Sequence, residues 1–178
     1  MEWAPGAKGI SIFGDFNGWN RDEYWCQKND FGCFTVTIKA LPDGSPRIKH
    51  RMKYKLHIVG ADESRMDRNS VWAKWALQGD SGLFDCVFWD PPENEQHKWE
   101  YEDPVLPDKK ESVRIYESHV GMAHEGGGVC QYRFYADHIL PRIKEAGYNV
   151  IQLMAIQEHA YYASFGYHVT GFYAISSR

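Results

Sequence analysis

Residues 112–122, SVRIYESHVGM, and 149–156, NVIQLMAI, decide how this chain folds, because the stretch between them, YRFYADHILPRIKEAGY at 132–148, has helical spacing. A strand, a helix and a strand in that order make a parallel pair, since only a long crossover brings the chain back to start the second strand at the same end. NVIQLMAI is almost wholly apolar, which predicts a strand buried on both faces. Gly147 stands where a helix-ending glycine is expected. Pro141 lacks an amide hydrogen and crowds the preceding turn, so it predicts two short helical segments in place of one. One strand–helix–strand unit cannot cover its own faces. Residues 111–178 are therefore expected to open an α/β (β/α)8 barrel that is incomplete where this sequence stops.

The first ninety residues have a different period. In CFTVTIK, 33–39, Phe34, Val36 and Ile38 alternate with Thr35, Thr37 and Lys39, giving one buried and one wet face. HRMKYKLHIV, 50–59, repeats the pattern, and its cations are expected on the wet side. GISIF at 9–13 and FDCVFW at 84–89 add strands bounded by Gly, Asp and Asn turn residues. Short strands at this spacing predict an all-β, immunoglobulin-like sandwich over 1–92. Prolines and charges in PPENEQHKWEYEDPVLPDKKE interrupt either pattern, so 93–110 reads as a linker. The fold class is thus mixed.

Composition narrows the chemistry. A net charge of −4 with no concentrated basic stripe argues against nucleic acid as partner. No run is long and apolar enough for a membrane helix, and MEWAPGAKG lacks the pattern of a signal peptide. Cys26, Cys33, Cys86 and Cys130 are widely spaced, without a CxxC pair. They predict reduced thiols in the cytoplasm and no metal site. Aromatic residues make up 15% of the chain, enough to suggest a surface that stacks on something flat as well as a core.

GDFNGWN, 14–20, fails as a calcium loop, because Trp19 and Asn20 fall where ligand and glycine are required. It reads as an Asn-Gly turn over a packed Trp19, with glucan contact as the alternative. Glu117 and His119 point to one side of their strand and could meet as an acid and base, or form a structural pair. Gln157, Glu158 and His159 follow the second strand, at the end where parallel barrels place active sites. One carboxylate does not make a glycosidase-type site, which needs two. HEGGG, 124–128, lacks a second metal-spaced His and reads as a flexible loop, and no phosphate-binding or dinucleotide fingerprint is present. YYASFGYHVTGFYA, 161–174, is expected to be a long loop over the strand ends, turning at Gly166 and Gly171. A ring exposed there is a platform for a sugar, whose apolar C–H face stacks while its rim takes hydrogen bonds.

RIYESHVGM, LPRIKEAGYNVIQLMAIQEHAYYASFGYHVT, SSR and WAPGAKGISIFGDFNGWN together resemble the 1,4-α-glucan branching enzymes of the eukaryotic glycogen and starch type, over essentially the whole chain. MAIQEHAYYASFGYHVT, 154–170, is the most specific part; debranching enzymes and ordinary amylases are resembled much less. The resemblance implies an amino-terminal carbohydrate-binding sandwich followed by an α-amylase-type barrel. It implies that Tyr167 stacks on the glucose beside the scissile bond, and that Trp3, Ala4 and Pro5 help bind a distal glucan. A second contact falls on the family's Asp-aromatic-Gly-Lys turn, here Asp30, Phe31, Gly32 and Cys33, where Cys33 departs from the lysine. Gly171 and Ile175 also depart from the family pattern. The implied partners are glycogen, starch and malto-oligosaccharides, with no cofactor. The implied reaction is a retaining transfer of an α-1,4 segment to a 6-hydroxyl. The family's catalytic carboxylates are expected in a carboxyl-terminal part of the enzyme beyond Arg178, so this chain alone is expected to bind glucan without turnover.

Overall fold

The computed structural model of the protein describes residues 1–100 and 112–177. Nine strands come first: β1 (Glu2–Trp3), β2 (Ala7–Gly14), β3 (Tyr24–Trp25), β4 (Gln27–Lys28), β5 (Cys33–Thr35), β6 (Lys53–Gly60), β7 (Arg65–Arg68), β8 (Ala76–Gln78) and β9 (Phe84–Val87). They form two antiparallel sheets, one ordered β1-β5-β4 and one ordered β3-β2-β6-β9-β8, with β7 also paired to β6. Phe34 of the smaller sheet is buried against Ala7, Ile10 and Leu56 of the larger, with Ile12 and Ile58 packed at the side. Alternation explains the arrangement: Ile10 and Ile12 of β2 pair with Ile58 and Leu56 of β6, so all four present one face to Phe34. Side chains from 33 to 39 alternate as expected, although the ladder ends at Thr35.

The other face of β2 and β6 is not wet. Ser11, Phe13 and His57 are buried there, because the segment from Asp15 to Trp25 folds back over them. Trp19 sets its edge on Phe13 at 5.6 Å between ring centroids, while its Nε1 donates to Asp15 Oδ1 at 2.9 Å. The Asn-Gly turn over a packed Trp19 is thus realised, with Gly18 in the left-handed region (φ 61°). The Arg21 guanidinium lies 4.5 Å over the Phe13 ring and grips Asp67 through Nε and Nη2, at 3.1 and 2.6 Å. His57 Nδ1 meets the same carboxylate at 2.9 Å. Nearby, Lys53 and Lys55 of β6 both reach Asp85 on β9.

The second half begins with β10 (Ile115–His119) and β11 (Val150–Met154), paired in parallel with Ile115 opposite Val150 and His119 opposite Met154. Between them run α1 (Tyr132–Phe134), a π-helical turn (Tyr135–Ile139) and α2 (Leu140–Glu145). The two short α segments expected around Pro141 are present, with this wide turn between them and directly before the proline. Widening to an i→i+5 pattern accommodates a residue that offers no amide hydrogen and crowds the preceding carbonyl. Gly147 ends the helix at φ 89°, its amide donating to Lys144 O at 2.9 Å. Val120, Cys130, Tyr135 and Ile143 form the buried cluster beneath. β11 is only half-buried, contrary to the expectation of a strand covered on both faces, because β10 is its sole partner among the described residues.

The stretch 161–174 corrects a second expectation. Only its first part is a loop, with a 3-10 turn at Tyr162–Ser164. β12 (Gln157–His159) and β13 (Val169–Ile175) then pair antiparallel through a bulged register. β13 also meets the sandwich: Ala174 packs on Ala76 and Phe84, and Tyr173 stacks on Trp72 at 5.0 Å. Residues 93–95 of the expected linker form a 3-10 turn, and residues 101–110 of it lie outside those described.

The Arg21 hydrogen bond, aided by His57 and opposed by partial burial, holds the Asp67 carboxyl down at about 2. A depressed carboxylate stabilises the fold above its unfolded pKa near 3.9, and that contribution is lost as pH falls toward 2. The melting temperature should therefore drop between pH 4 and 2. Asp67→Asn should melt lower at neutral pH, by roughly 1–2 kcal/mol of stability, and show a flatter profile across that window. Parallel profiles of the two proteins from pH 4 to 2 would contradict this role for Asp67.

Candidate glucan-binding surface and strand-end site

Pairing of β1 with β5 sets Trp3 opposite Cys33, and the Ala4 amide donates to Gly32 O at 3.0 Å. The turn that carries Phe31 is closed by Asn29. Its Oδ1 accepts from the amides of Phe31 (3.0 Å) and Cys33 (2.9 Å), and its carbonyl accepts from the Gly32 amide at 3.0 Å. Gly32 has φ 78°, and a Cβ there would fall 2.6 Å from Pro5 Cα. Only glycine allows the two segments to approach this closely. Trp3 Nε1 donates to Phe31 O at 3.1 Å, which fixes the indole without covering it. Trp3 is 66% and Phe31 81% exposed, high for rings of that size. Trp3, Ala4, Pro5, Asp30 and Phe31 thus share one surface patch over the buried Gly32, with Trp3 and Phe31 28 positions apart in sequence.

Two supports of that patch were not singled out from sequence. One is Asn29. The other is Lys28, whose Nζ donates to the carbonyls of Pro5 (2.9 Å) and Ala7 (2.7 Å). An Asn just before Asp-aromatic-Gly is a readable turn signal, whereas a lysine capping distant carbonyls has none. Cys33 is half-buried in β5, so the patch lacks a cation at that position.

A second exposed ring stands over the carboxyl ends of β10 and β11. Tyr167 is 61% exposed, its hydroxyl 3.6 Å from Met154 Sδ and its ring 6.3 Å from the His119 ring. Phe165 (φ 54°) and Gly166 (φ 90°) hold the turn before it, and a Cβ on Gly166 would lie 2.5 Å from Ala155 O. His119 Nε2 bonds Phe165 O at 2.6 Å. Below, a cavity of about 160 Å³ is lined by His119, Val129, Cys130, Met154, His159 and Phe165, among others.

The acid and base candidates are placed otherwise than expected. Glu117 is exposed and makes no hydrogen bond with His119, which is committed to Phe165. Glu158 is fully buried and tied down: Oε1 accepts the His159 amide at 3.0 Å, and Oε2 accepts the Ser177 amide and hydroxyl at 3.1 and 2.9 Å. A carboxylate so engaged fastens the β12–β13 hairpin to the residues after it. His159 Nδ1 donates to Gln157 O at 3.1 Å. His124 of the 124–128 loop packs on Phe134, 5.3 Å between centroids. All four cysteines are free thiols, and burial pushes that of Cys86 up to about 11. No group of three metal-ligating side chains occurs among the described residues, and none of their helices is long and apolar enough to cross a membrane.

An antiparallel sandwich with an exposed aromatic patch is joined to a parallel strand–helix–strand unit, and known proteins are similar to this chain in both sequence and fold. Residues 1–76 match the family of carbohydrate-binding module 48, the isoamylase N-terminal domain. Along its whole length the chain is similar to the amino-terminal part of 1,4-alpha-glucan-branching enzymes. It is 45% identical to that of Yarrowia lipolytica, 44% to branching enzyme 2-2, chloroplastic/amyloplastic, of Arabidopsis thaliana, and 43% to that of Equus caballus. In each case 99% of the chain is aligned, and it spans 26%, 22% and 25% of these relatives. About a quarter of their length is thus represented. Among solved structures, the catalytic module of the glycogen-degrading pneumococcal virulence factor SpuA superposes with TM-score 0.63, covering 98% of this chain and 30% of that one, at 15% identity. The Group B Streptococcus pullulanase SAP in complex with maltotetraose gives 0.61, over 98% of this chain and 26% of that one, at 17% identity. These two share the fold.

Gly32→Ala forces a Cβ into Pro5 at a left-handed φ. It should cost about 1–3 kcal/mol in urea unfolding, because the backbone must both strain and separate. Unchanged stability would show that the close approach is dispensable.

Proposed function

We propose that this chain is the glucan-binding and substrate-positioning part of a 1,4-α-glucan branching enzyme. The carrying observation is the patch built by Trp3 and Phe31: two large rings held open to solvent by a backbone crossing, with the exposed Asp30 preceding Phe31 in the turn. Such a surface suits an α-glucan, whose apolar C–H faces lie on rings while hydroxyls reach polar rims. Tyr167 serves the second role, stacking on the glucose next to the bond to be cleaved. Its exposure above the strand ends supports this reading. The parallel unit of β10 and β11 belongs, on this view, to an α-amylase-type barrel.

The parent reaction transfers an α-1,4-glucan segment to a 6-hydroxyl, building the α-1,6 branches of glycogen or starch. It proceeds by double displacement: a carboxylate forms a covalent glycosyl intermediate, and a 6-hydroxyl in place of water resolves it. We place the nucleophile, the acid/base and the stabilising carboxylate in other parts of the parent enzyme. Glu158, the most promising acid at the strand ends, is occupied structurally. The four free thiols favour a reducing compartment, the cytoplasm. A second reading is a non-catalytic glucan-binding or scaffold protein, favoured by the sandwich patch being complete without any residue of the second half.

In native gels containing glycogen the chain should migrate slowly, and Trp3→Ala should weaken the apparent affinity about tenfold, or ~1.4 kcal/mol. Equal mobility of the unsubstituted chain with and without glycogen would refute both readings of the patch. The purified chain alone should leave the iodine colour of amylose unchanged. A colour shift scaling with its concentration would place the catalytic carboxylates within it.

A further inference from the structure

The group that holds Tyr167 in place stands apart from the ring itself. His119 is the last residue of β10, opposite Met154 of β11, and its Nε2 lies 2.6 Å from the carbonyl oxygen of Phe165, 46 positions away in sequence. A carbonyl only accepts, so the imidazole carries its proton on Nε2. Nδ1 is buried and has no hydrogen-bond partner. The accepting carbonyl belongs to a strained residue: Phe165 adopts the left-handed conformation, unfavourable for a bulky side chain, and Gly166 follows in the same region, pressed on Ala155 O. The ladder of β12 and β13 does not reach this turn, since it resumes at Val169. Local bonds brace it, Phe165 amide to Tyr162 O at 2.9 Å and Tyr167 amide to Ser164 O at 3.1 Å, but these turn with it. The bond from His119 ties the backbone of the turn to the end of β10. The same imidazole lies 6.3 Å from the Tyr167 ring at a 59° tilt, while the Tyr167 hydroxyl approaches the register partner Met154.

We propose that His119 is a positioning residue for the sugar-stacking ring: as the Nε2–H tautomer it clamps the left-handed turn at Phe165 and so sets the angle at which Tyr167 meets a glucose face. This rests on the reading of Tyr167 as a glucose platform. His119 touches no reacting atom. Its work is to suppress the rotation of a two-residue turn that glycine would otherwise permit. The specific demand is a neutral N–H donor at the Nε2 position, which a glutamine amide can approximate and a leucine cannot.

The test uses the whole chain in a Trp3→Ala background, which weakens the sandwich patch, with maltohexaose titrated against the ring resonances of Tyr167 so that binding is read at that ring alone. The long-range ¹⁵N spectrum of His119 should show the Nε2–H tautomer. His119→Leu should weaken maltohexaose at Tyr167 about tenfold, nearly as much as Tyr167→Ala measured by calorimetry, and should quicken hydrogen exchange at the Tyr167 amide. His119→Gln should restore affinity to within about threefold. An Nδ1–H tautomer, or unchanged affinity in His119→Leu, would overturn the inference. If maltohexaose leaves Tyr167 unmoved in the parent chain, the platform reading fails. His119 is then judged on hydrogen exchange and ring shifts alone, and identical values in His119→Leu would end the positioning role as well.

Discussion

Both exposed-ring sites depend on one constraint, a crossing of main chains too close for a Cβ. At Gly32 the neighbour is Pro5, at Gly166 it is Ala155, and in each case a side-chain atom would meet its neighbour well inside van der Waals distance. The consequence is the same. Backbone held that tightly fixes where the next side chain emerges, and an aromatic residue beside the crossing cannot fold inward to escape water. Phe31 and Tyr167 sit directly beside the two glycines, and Trp3 stands two residues before Pro5. Hydrophobic burial alone would draw such rings inside. The glycine contacts decide otherwise.

The rest of the sandwich serves to hold these crossings steady. Phe34 lies two positions after Gly32 and is buried against Ile10 and Leu56, so the strand carrying one side of the crossing is anchored in the core between the sheets. On the opposite face the Phe13, Arg21, His57 and Asp67 group locks the segment from Asp15 to Trp25 over β2 and β6. In the second half, Glu158 plays a comparable part from within the hairpin, taking three hydrogen bonds from residues near both of its strands. A buried carboxylate held by three donors is a fastener. The stack of Tyr173 on Trp72 and the packing of Ala174 on Ala76 and Phe84 join this hairpin to the sandwich.

Much of this was legible in the chain itself. The alternation in GISIF and HRMKYKLHIV specified two paired strands, and SVRIYESHVGM followed by a helical period and NVIQLMAI specified a parallel pair. Errors arose where a residue's environment is supplied by a distant segment. His57 falls at a nominally wet position and is covered by Trp25 and Phe13. Val169 to Ile175 reads as loop because Gly171 weakens its strand pattern, and it becomes strand only when Gln157–His159 lies alongside.

By itself the sequence determined the two periods, the glycines at 32 and 166 and the rings beside them, because alternation, helical spacing and turn chemistry act between near neighbours. Motif resemblance added the kind of polymer such rings would meet. Tertiary structure alone decided that Trp3 and Phe31 belong to one surface, that Glu158 is a fastener, and that His119 answers to the carbonyl of Phe165. Each of those outcomes joins residues 19 to 46 positions apart, and no local pattern records which carbonyl a side chain will find once the chain has closed on itself.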